Sequence, residues 1–168
     1  MIPSLFGGGV SVVPVSIARS VGAALSLTVG ATFCGVAPAG NPTPLGTWTT
    51  IDDVSHRPRS LVEISETDGV LSGRIVRLFQ APGEDPDPRC EDCQGERQGQ
   101  PVLGMTILWN LRHHGDNWDG GEILDPESGS IYRVTLHPEA DGNRLEVRGY
   151  IGFSLFGRTQ IWQRAPAR

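Results

Sequence analysis

The chain has 168 residues, of which 20% are charged, and a formal net charge of -5 at pH 7. This length suits one domain with one hydrophobic core. Nucleic-acid binding depends on a stripe of basic residues, and this acidic chain has only dispersed arginines. The composition therefore argues against a nucleic-acid partner.

Residues 1–39 have the pattern of a secretory signal peptide. Arg19 precedes an uncharged run of apolar and small residues over 21–36, and Ala37-Pro38-Ala39 supplies small residues for cleavage. The stretch before Arg19 lacks a basic start, which a start codon assigned too far upstream would explain. A membrane anchor is one alternative, because the run approaches the roughly 18 residues that a span needs, and a lipoprotein processed at Cys34 is another. We expect a cleaved signal and an exported protein, either periplasmic or secreted.

The remainder, residues 40–168, reads as a single domain of short strands. Val62 and Ile64 alternate with polar neighbours, and Asp68-Gly69 predicts a two-residue hairpin turn into the next strand. Gly120-Gly121 inside a later strand predicts a bulge or a close backbone approach. Alternation of this kind, bounded by turn residues, is typical of antiparallel sheets.

Strong turn signals continue to the end of the chain. The segment Asp125-Pro126-Glu127-Ser128-Gly129 predicts a turn, and alternation resumes over 132–136, 144–149 and 159–164. With residues 106–112 included, the count is eight strands. Eight antiparallel strands predict a small closed up-and-down β-barrel of the lipocalin or calycin kind, with room for side chains or one small ligand. A two-sheet sandwich has the same local pattern and remains an alternative.

Both ends of the domain carry residues suited to closing a barrel. Gly46 and Trp48 lie on the first strand, and Trp162 and Arg164 lie on the last. An arginine at this position can lie across an indole face and donate to neighbouring carbonyl groups. We therefore expect these four residues to form the closed end of the barrel.

One long segment, residues 81–101, breaks the strand pattern. Loops of this length are uncommon in compact domains and tend to be functional or disordered. Cys90-Glu91-Asp92-Cys93 lies at its centre, and paired thiols in an oxidising compartment usually form a disulfide. A redox pair is disfavoured because the two carboxylates would raise the thiol pKa values. A zinc site would need further ligands, for which one of His113 and His114 is the candidate.

The sequence contains none of the common catalytic motifs. It has no Gly-x-Ser-x-Gly elbow, no His-Glu-x-x-His and no phosphate-binding glycine loop. His56 and His137 lie beside prolines and are expected to be solvated, and Asp52, Asp53 and Asp119 lie near turns. A carboxylate pair flanking a sugar is a disfavoured alternative. We therefore expect neither enzyme activity nor a cofactor.

Four aromatic residues are the candidates for contact with a ligand. Trp109 and Trp118 could line a cavity, with core packing as the alternative. Phe153 and Phe156 belong to the segment 151–157, which is unusually apolar for a connection between strands. That segment is expected to rim a binding mouth, to contact a membrane or partner, or to fold onto the core.

A set of short motifs is distributed over nearly the whole domain. They are Gly46-Thr47-Trp48, Cys90-x-x-Cys93, Gly104, Trp118, Gly120-Gly121, Ile123-Leu124-Asp125-Pro126, Gly129, Arg148-Gly149-Tyr150-Ile151-Gly152, Gly157-Arg158-Thr159-Gln160 and Trp162. In these motifs the chain resembles the bacterial exported family called domain of unknown function 2147. The resemblance implies export and a lipocalin-like barrel, and it carries no activity or site residues, since the family has none assigned.

The sequence thus predicts a non-enzymatic module that binds a small hydrophobic or amphipathic molecule inside its barrel, in the cell envelope. A filled barrel without a cavity would contradict this expectation. One alternative is an interaction or structural module that contacts an envelope protein or a membrane surface through the apolar turn 151–157. Another is a metal or redox protein that uses Cys90 and Cys93.

Overall fold

The computed structural model describes residues 42–152 and 157–166, so the predicted signal peptide lies outside the described residues. These two ranges form eight strands and one 3-10 turn, Gly95–Arg97, and they contain no helix long and apolar enough to cross a membrane. The strands are β1 (Gly46–Ile51), β2 (Pro58–Thr67), β3 (Val70–Leu78), β4 (Thr106–His114), β5 (Asn117–Asp125), β6 (Ser130–Pro138), β7 (Arg144–Tyr150) and β8 (Gly157–Arg164).

Every strand pairs antiparallel with the next, and β8 pairs with β1 to close the barrel. The closing pairs are Trp48 with Arg164 and Thr49 with Gln163. This topology confirms the predicted up-and-down barrel and is incompatible with the sandwich alternative, whose two sheets would stay separate.

The connections differ between the two ends of the barrel. Tight turns at 68–69, 115–116 and 139–143 lie at one end, which we call the closed end. The longer connections, including the β1–β2 loop (52–57) and the β3–β4 loop (79–105), lie at the other, which we call the open end. The predicted hairpin at Asp68-Gly69 is present, with both residues at positive φ as a two-residue turn requires.

Large apolar side chains fill the closed half of the barrel. Strand alternation directs them inward, and their positions lie near the closed-end turns. Burying each such side chain contributes about 2 kcal/mol, so this half supplies most of the hydrophobic stabilisation of the barrel. The largest fully buried residues include Trp48, Leu71, Leu108, Leu111, Leu136 and Leu145.

The side chain of Arg164, on the last strand, closes this end of the barrel by contacting the first strand and the residues before it. Its guanidinium carbon lies 4.2 Å from the centre of the Trp48 ring. Its Nη1 and Nη2 donate to the carbonyl oxygens of Leu45 and Thr43 at 3.0 Å each, and its Nε donates to the carbonyl of Gly142. A Cβ on Gly46 would lie 3.0 Å from Arg164 Nη1, so the absence of a side chain there makes room for the guanidinium group. The structure thus brings together three of the four residues expected to close the barrel.

Candidate ligand-binding site

The open half of the barrel contains a cavity of about 1020 Å³. Ligand sites for small molecules have volumes of about 300–1,000 Å³, so this space is large enough for one such molecule. The prediction required a cavity, and the structure has one. Its apolar wall includes Ile75, Ile107, Ile123, Tyr132, Val147 and Trp162.

The cavity exists because inward positions near the open end carry small side chains. Thr50 and Ser60 pair across β1 and β2, one step beyond the Trp48–Val62 pair that fills the closed half. Gly149 holds the corresponding place on β7, beside Tyr132 and Ile123. Because these three positions contribute little volume, the core ends below them and a space remains above.

Two hydroxyl groups form one polar point on this wall. Thr50 Oγ1 and Ser60 Oγ lie 2.8 Å apart, and the backbone N–H of Ser60 donates to Thr50 Oγ1 at 3.1 Å. Ser60 is buried. The pair satisfies its own hydrogen bonds, so it can face apolar ligand atoms without a large desolvation cost.

A hydrogen-bonded chain runs along β8 from the barrel interior to the mouth. Buried Trp162 donates through Nε1 to Gln160 Oε1 at 3.2 Å, and Gln160 Nε2 donates to Asp53 Oδ2 at 2.7 Å. Arg158 donates to the same Asp53 oxygen. These contacts attach the β1–β2 loop to the last strand and fix one side of the mouth.

The β3–β4 loop covers another side of the mouth. Arg59 forms ion pairs with Glu84 of this loop, at 3.6 Å, and with Glu127 of the β5–β6 turn. At Gly129 of that turn, an added Cβ would lie 2.1 Å from the carbonyl oxygen of Asp92, so the loop and the turn are in direct backbone contact. The loop is therefore part of the folded barrel.

The predicted disulfide between Cys90 and Cys93 is present and buried within this loop. The backbone N–H of Cys90 donates to the carbonyl of Gln100 at 3.0 Å, and that of Gly99 donates to the carbonyl of Cys90 at 2.9 Å. Val102 and Met105 are buried in the hydrophobic core to which both cysteines also belong. The disulfide thus closes a small hairpin that is joined to the core of the domain.

Replacing both cysteines, as Cys90→Ser/Cys93→Ser, is expected to lower the free energy of unfolding by about 2 kcal/mol. That is the loop-closure entropy of a short disulfide loop at 25 °C. Urea denaturation of the oxidised protein and the double variant measures it, and the intact mass of the oxidised protein should be two hydrogens below the reduced mass. Equal urea midpoints would contradict the prediction.

Asp52 remains ionised at the rim of the cavity. The backbone N–H of Ser55 donates to its Oδ1 at 2.6 Å and that of Val54 at 3.2 Å. Hydrogen bonding to the charged form, chiefly from Ser55, holds the pKa of this carboxyl below its usual value. Asp52 therefore carries a full negative charge at neutral pH.

Trp109 and Trp118, for which cavity lining and core packing were the alternatives, do not line the cavity but are partly buried against the hydrophobic core. Trp109 Nε1 donates to Glu122 at 2.9 Å, and the guanidinium carbon of Arg97 lies 4.4 Å from the centre of its ring. Trp118 lies beside the β4–β5 turn at the closed end, and its ring centre is 4.5 Å from that of His113. The other two candidates, Phe153 and Phe156, lie outside the described residues.

Several lining residues were not predicted from the sequence to line a cavity. Trp162 was expected only in barrel closure, yet it also lines the cavity, and Gln160 lies two positions away on the same face of β8. The alternation of the last strand already placed these two side chains together. Thr50 and Gly149 carried no comparable signal, because a small residue at an inward position is informative only when its neighbours across the sheet are known.

The histidines lie far from the disulfide. His114 Nδ1 is 2.5 Å from Asp119 Oδ1, and both residues lie near the closed end, whereas Cys90 and Cys93 lie at the open end. His113 and His114 therefore do not complete a metal site with the cysteines. Within the described ranges, no group of three or more His, Cys, Asp or Glu residues is arranged to hold a metal ion.

An eight-stranded up-and-down barrel, packed at one end and hollow at the other, defines a small lipocalin-like protein. The chain matches the family model of uncharacterized proteins conserved in bacteria, DUF2147, over residues 46–164, and it belongs to this family. No protein with a curated functional description matches the chain.

A solved structure supports the same fold. The chain is similar to protein HP1028 from the human pathogen Helicobacter pylori, which is described as belonging to the lipocalin family. The TM-score is 0.63 at 19% sequence identity, and the match covers 73% of this chain and 82% of HP1028. At this identity the likeness shows a shared fold.

Proposed function

We propose that this protein binds one small hydrophobic or amphipathic molecule in the open half of its barrel, without catalysing a reaction. The observation that carries the proposal is the cavity of about 1020 Å³, with an apolar wall and a polar rim. The largest fully buried side chains lie mainly in the closed half, so the space above them is available to a ligand.

The energetics of such binding are favourable. A ligand tail that loses about 400 Å² of apolar surface gains about 10 kcal/mol at roughly 25 cal/mol per Å². The loss of translational and rotational freedom offsets at least about 4 kcal/mol of this gain. The remainder corresponds to a dissociation constant in the range of about 10–100 μM, which contacts at the rim would lower.

We also propose that the protein works outside the inner membrane. Residues 1–39 have the composition of a signal peptide, and a structural disulfide persists mainly in oxidising compartments. Mass spectrometry of the protein recovered from its producing cell tests this point. Cleavage near residue 39 supports export, and an uncleaved N-terminus contradicts the cleaved signal.

Binding is tested with the neutral fluorescent probe N-phenyl-1-naphthylamine and the variant Gly149→Leu. Gly149 faces the cavity, and a Cβ there meets Tyr132 and Ile123 only at 3.6–3.9 Å, so a leucine fits the strand and occupies ligand space. We expect saturable binding of one probe per protein and at least about tenfold weaker binding to the variant, because the blocked volume removes apolar contacts.

The matched control for this variant is Thr159→Leu. Thr159 lies on the neighbouring strand, is exposed, and does not line the cavity. It adds the same side chain outside the barrel, and probe affinity should stay within about twofold of the unmodified protein. Absence of probe binding, or equal effects of the two leucines, would contradict the proposed function.

A second candidate function is contact with an envelope protein or a membrane surface. Val54 is 89% exposed and Ile151 is 70% exposed, and both lie in connections at the open end. Two apolar side chains exposed at one end can contact a partner. If this function is correct, Val54→Asp, at the one of these two residues that does not line the cavity, should weaken co-purification with the partner and leave probe binding intact. Unchanged co-purification would count against it.

A further inference from the structure

Carboxylates outnumber arginines around the cavity. Eight acidic residues line the cavity and its rim, against three arginines. The acidic residues are Asp52, Asp53, Glu84, Asp85, Glu91, Asp92, Asp125 and Glu127. The field at the entrance is therefore negative, and a low-dielectric cavity below it concentrates that field.

Each of the three lining arginines already has a carboxylate partner. Arg158 is paired with Asp53 and Arg59 with Glu127, as described above. Arg89 lies 3.7 Å from Asp87, a carboxylate of the same loop. An anionic ligand head group would have to displace one of these partners to gain an arginine contact.

Five lining carboxylates have no ion pair in the described part of the chain. Asp52 and Asp125 accept hydrogen bonds from backbone N–H groups of their own turns, and Ser128 also donates to Asp125 at 2.8 Å. Asp85 accepts the N–H of Asp87 at 2.9 Å. Hydrogen bonds from neutral groups leave the negative charge of a carboxylate in place. Glu91 and Asp92 complete the five and lie exposed between the two cysteines.

Aromatic rings provide a second, independent attraction for positive charge. Tyr132, Tyr150, Phe79 and Trp162 all line the cavity. The faces of such rings attract ammonium and guanidinium groups, and clusters of them recognise quaternary ammonium ligands. Phe79 already holds a cation in this way, with the guanidinium carbon of Arg77 4.9 Å from its ring centre.

We propose that the ligand is an amphipathic cation whose apolar tail occupies the barrel and whose amine or quaternary ammonium head group lies among the carboxylates and aromatic rings of the mouth. This inference rests on the proposed function and specifies its ligand class. A fatty acid or another amphipathic anion would place its charge among these carboxylates, where each of the three lining arginines already has a carboxylate partner.

The test compares decyltrimethylammonium with decanoate as displacers of N-phenyl-1-naphthylamine, below their micelle concentrations. At about 20 mM salt, we expect the cation to displace the probe at a concentration at least about tenfold lower than the anion. This follows because each net charge at the rim, about 10 Å from the head group in water, changes the ratio of the two affinities roughly twofold. The ratio of the anion's displacing concentration to the cation's should fall severalfold at about 0.5 M NaCl, because the screening length is then only about 4 Å.

A matched pair of variants locates the effect. Glu91→Gln/Asp92→Asn removes two charges at the mouth, and Glu66→Gln/Asp116→Asn removes two exposed charges at the closed end. The mouth variant should reduce the ratio of the anion's displacing concentration to the cation's about fourfold. The closed-end variant, whose charges are more distant by most of the barrel length, should leave this ratio nearly unchanged.

The outcomes separate the two proposals. Probe binding with equal displacement by both amphiphiles, tighter displacement by decanoate, or equal effects of the two variants would overturn the cationic ligand and leave the binding function standing. Failure of the neutral probe to bind would overturn both.

Discussion

Replacing Arg164 with alanine is expected to lower the free energy of unfolding by about 3 kcal/mol. The arginine donates three hydrogen bonds to carbonyl groups of Leu45, Thr43 and Gly142, and it covers the ring of Trp48. Charged hydrogen bonds of this kind are each worth about 1.5–3 kcal/mol, and the water that reaches the carbonyls in the variant recovers part of that loss. Urea denaturation of the variant and the unmodified protein measures the difference.

Two further variants identify what Arg164 contributes. Arg164→Lys keeps the charge but loses the planar fork, so it should recover less than half of the stability. Arg144→Ala removes an exposed arginine of β7 that is paired only with Glu139, and its effect should be under about 1 kcal/mol. Equal losses for Arg164→Ala and Arg144→Ala would contradict a specific role in barrel closure.

Replacing Gly129 with alanine is expected to destabilise the protein by about 3 kcal/mol and to weaken probe binding severalfold. The added Cβ would lie 2.1 Å from the carbonyl oxygen of Asp92 and 2.8 Å from the backbone nitrogen of Cys93. Overpacking of this kind costs about 1–3 kcal/mol, and the positive φ of 66° adds about 1–2 kcal/mol. Since the clashing atoms are backbone, relief requires the β3–β4 loop to move away from the turn.

Gly115→Ala separates these two effects. Gly115 has a nearly equal φ of 62°, but nothing lies within 4 Å of an added Cβ. It should therefore show the backbone strain alone, about 1 kcal/mol, with unchanged probe affinity. Urea denaturation and probe titration of both variants provide the comparison. If the two alanines cost the same, the contact between loop and turn does not contribute to stability.

Most of the barrel could be predicted from the sequence because its determinants are local. Alternation reports which face of a strand is inward, and turn residues such as Asp68-Gly69 report where a strand reverses. The residues at the two ends of the domain also predicted that the sheet closes, since Trp48 on the first strand and Arg164 on the last could contact each other. Each of these signals is contained within a few residues, so tertiary context does not override it.

The cavity could not be predicted because it is defined by missing volume. Thr50, Ser60 and Gly149 come from three strands, and none of them alone indicates an empty space. Trp109 could line a cavity or pack in the core, and strand alternation did not decide between the two; it packs against the core. The β3–β4 loop was predicted to be irregular because no periodicity reports that Val102 and Met105 belong to the hydrophobic core.

The barrel keeps its largest fully buried side chains mainly in one half and its cavity in the other. Inward positions of the open half can therefore change without removing the packed side chains of the closed half. We expect random changes confined to those positions to yield folded proteins with cavities of altered size and shape.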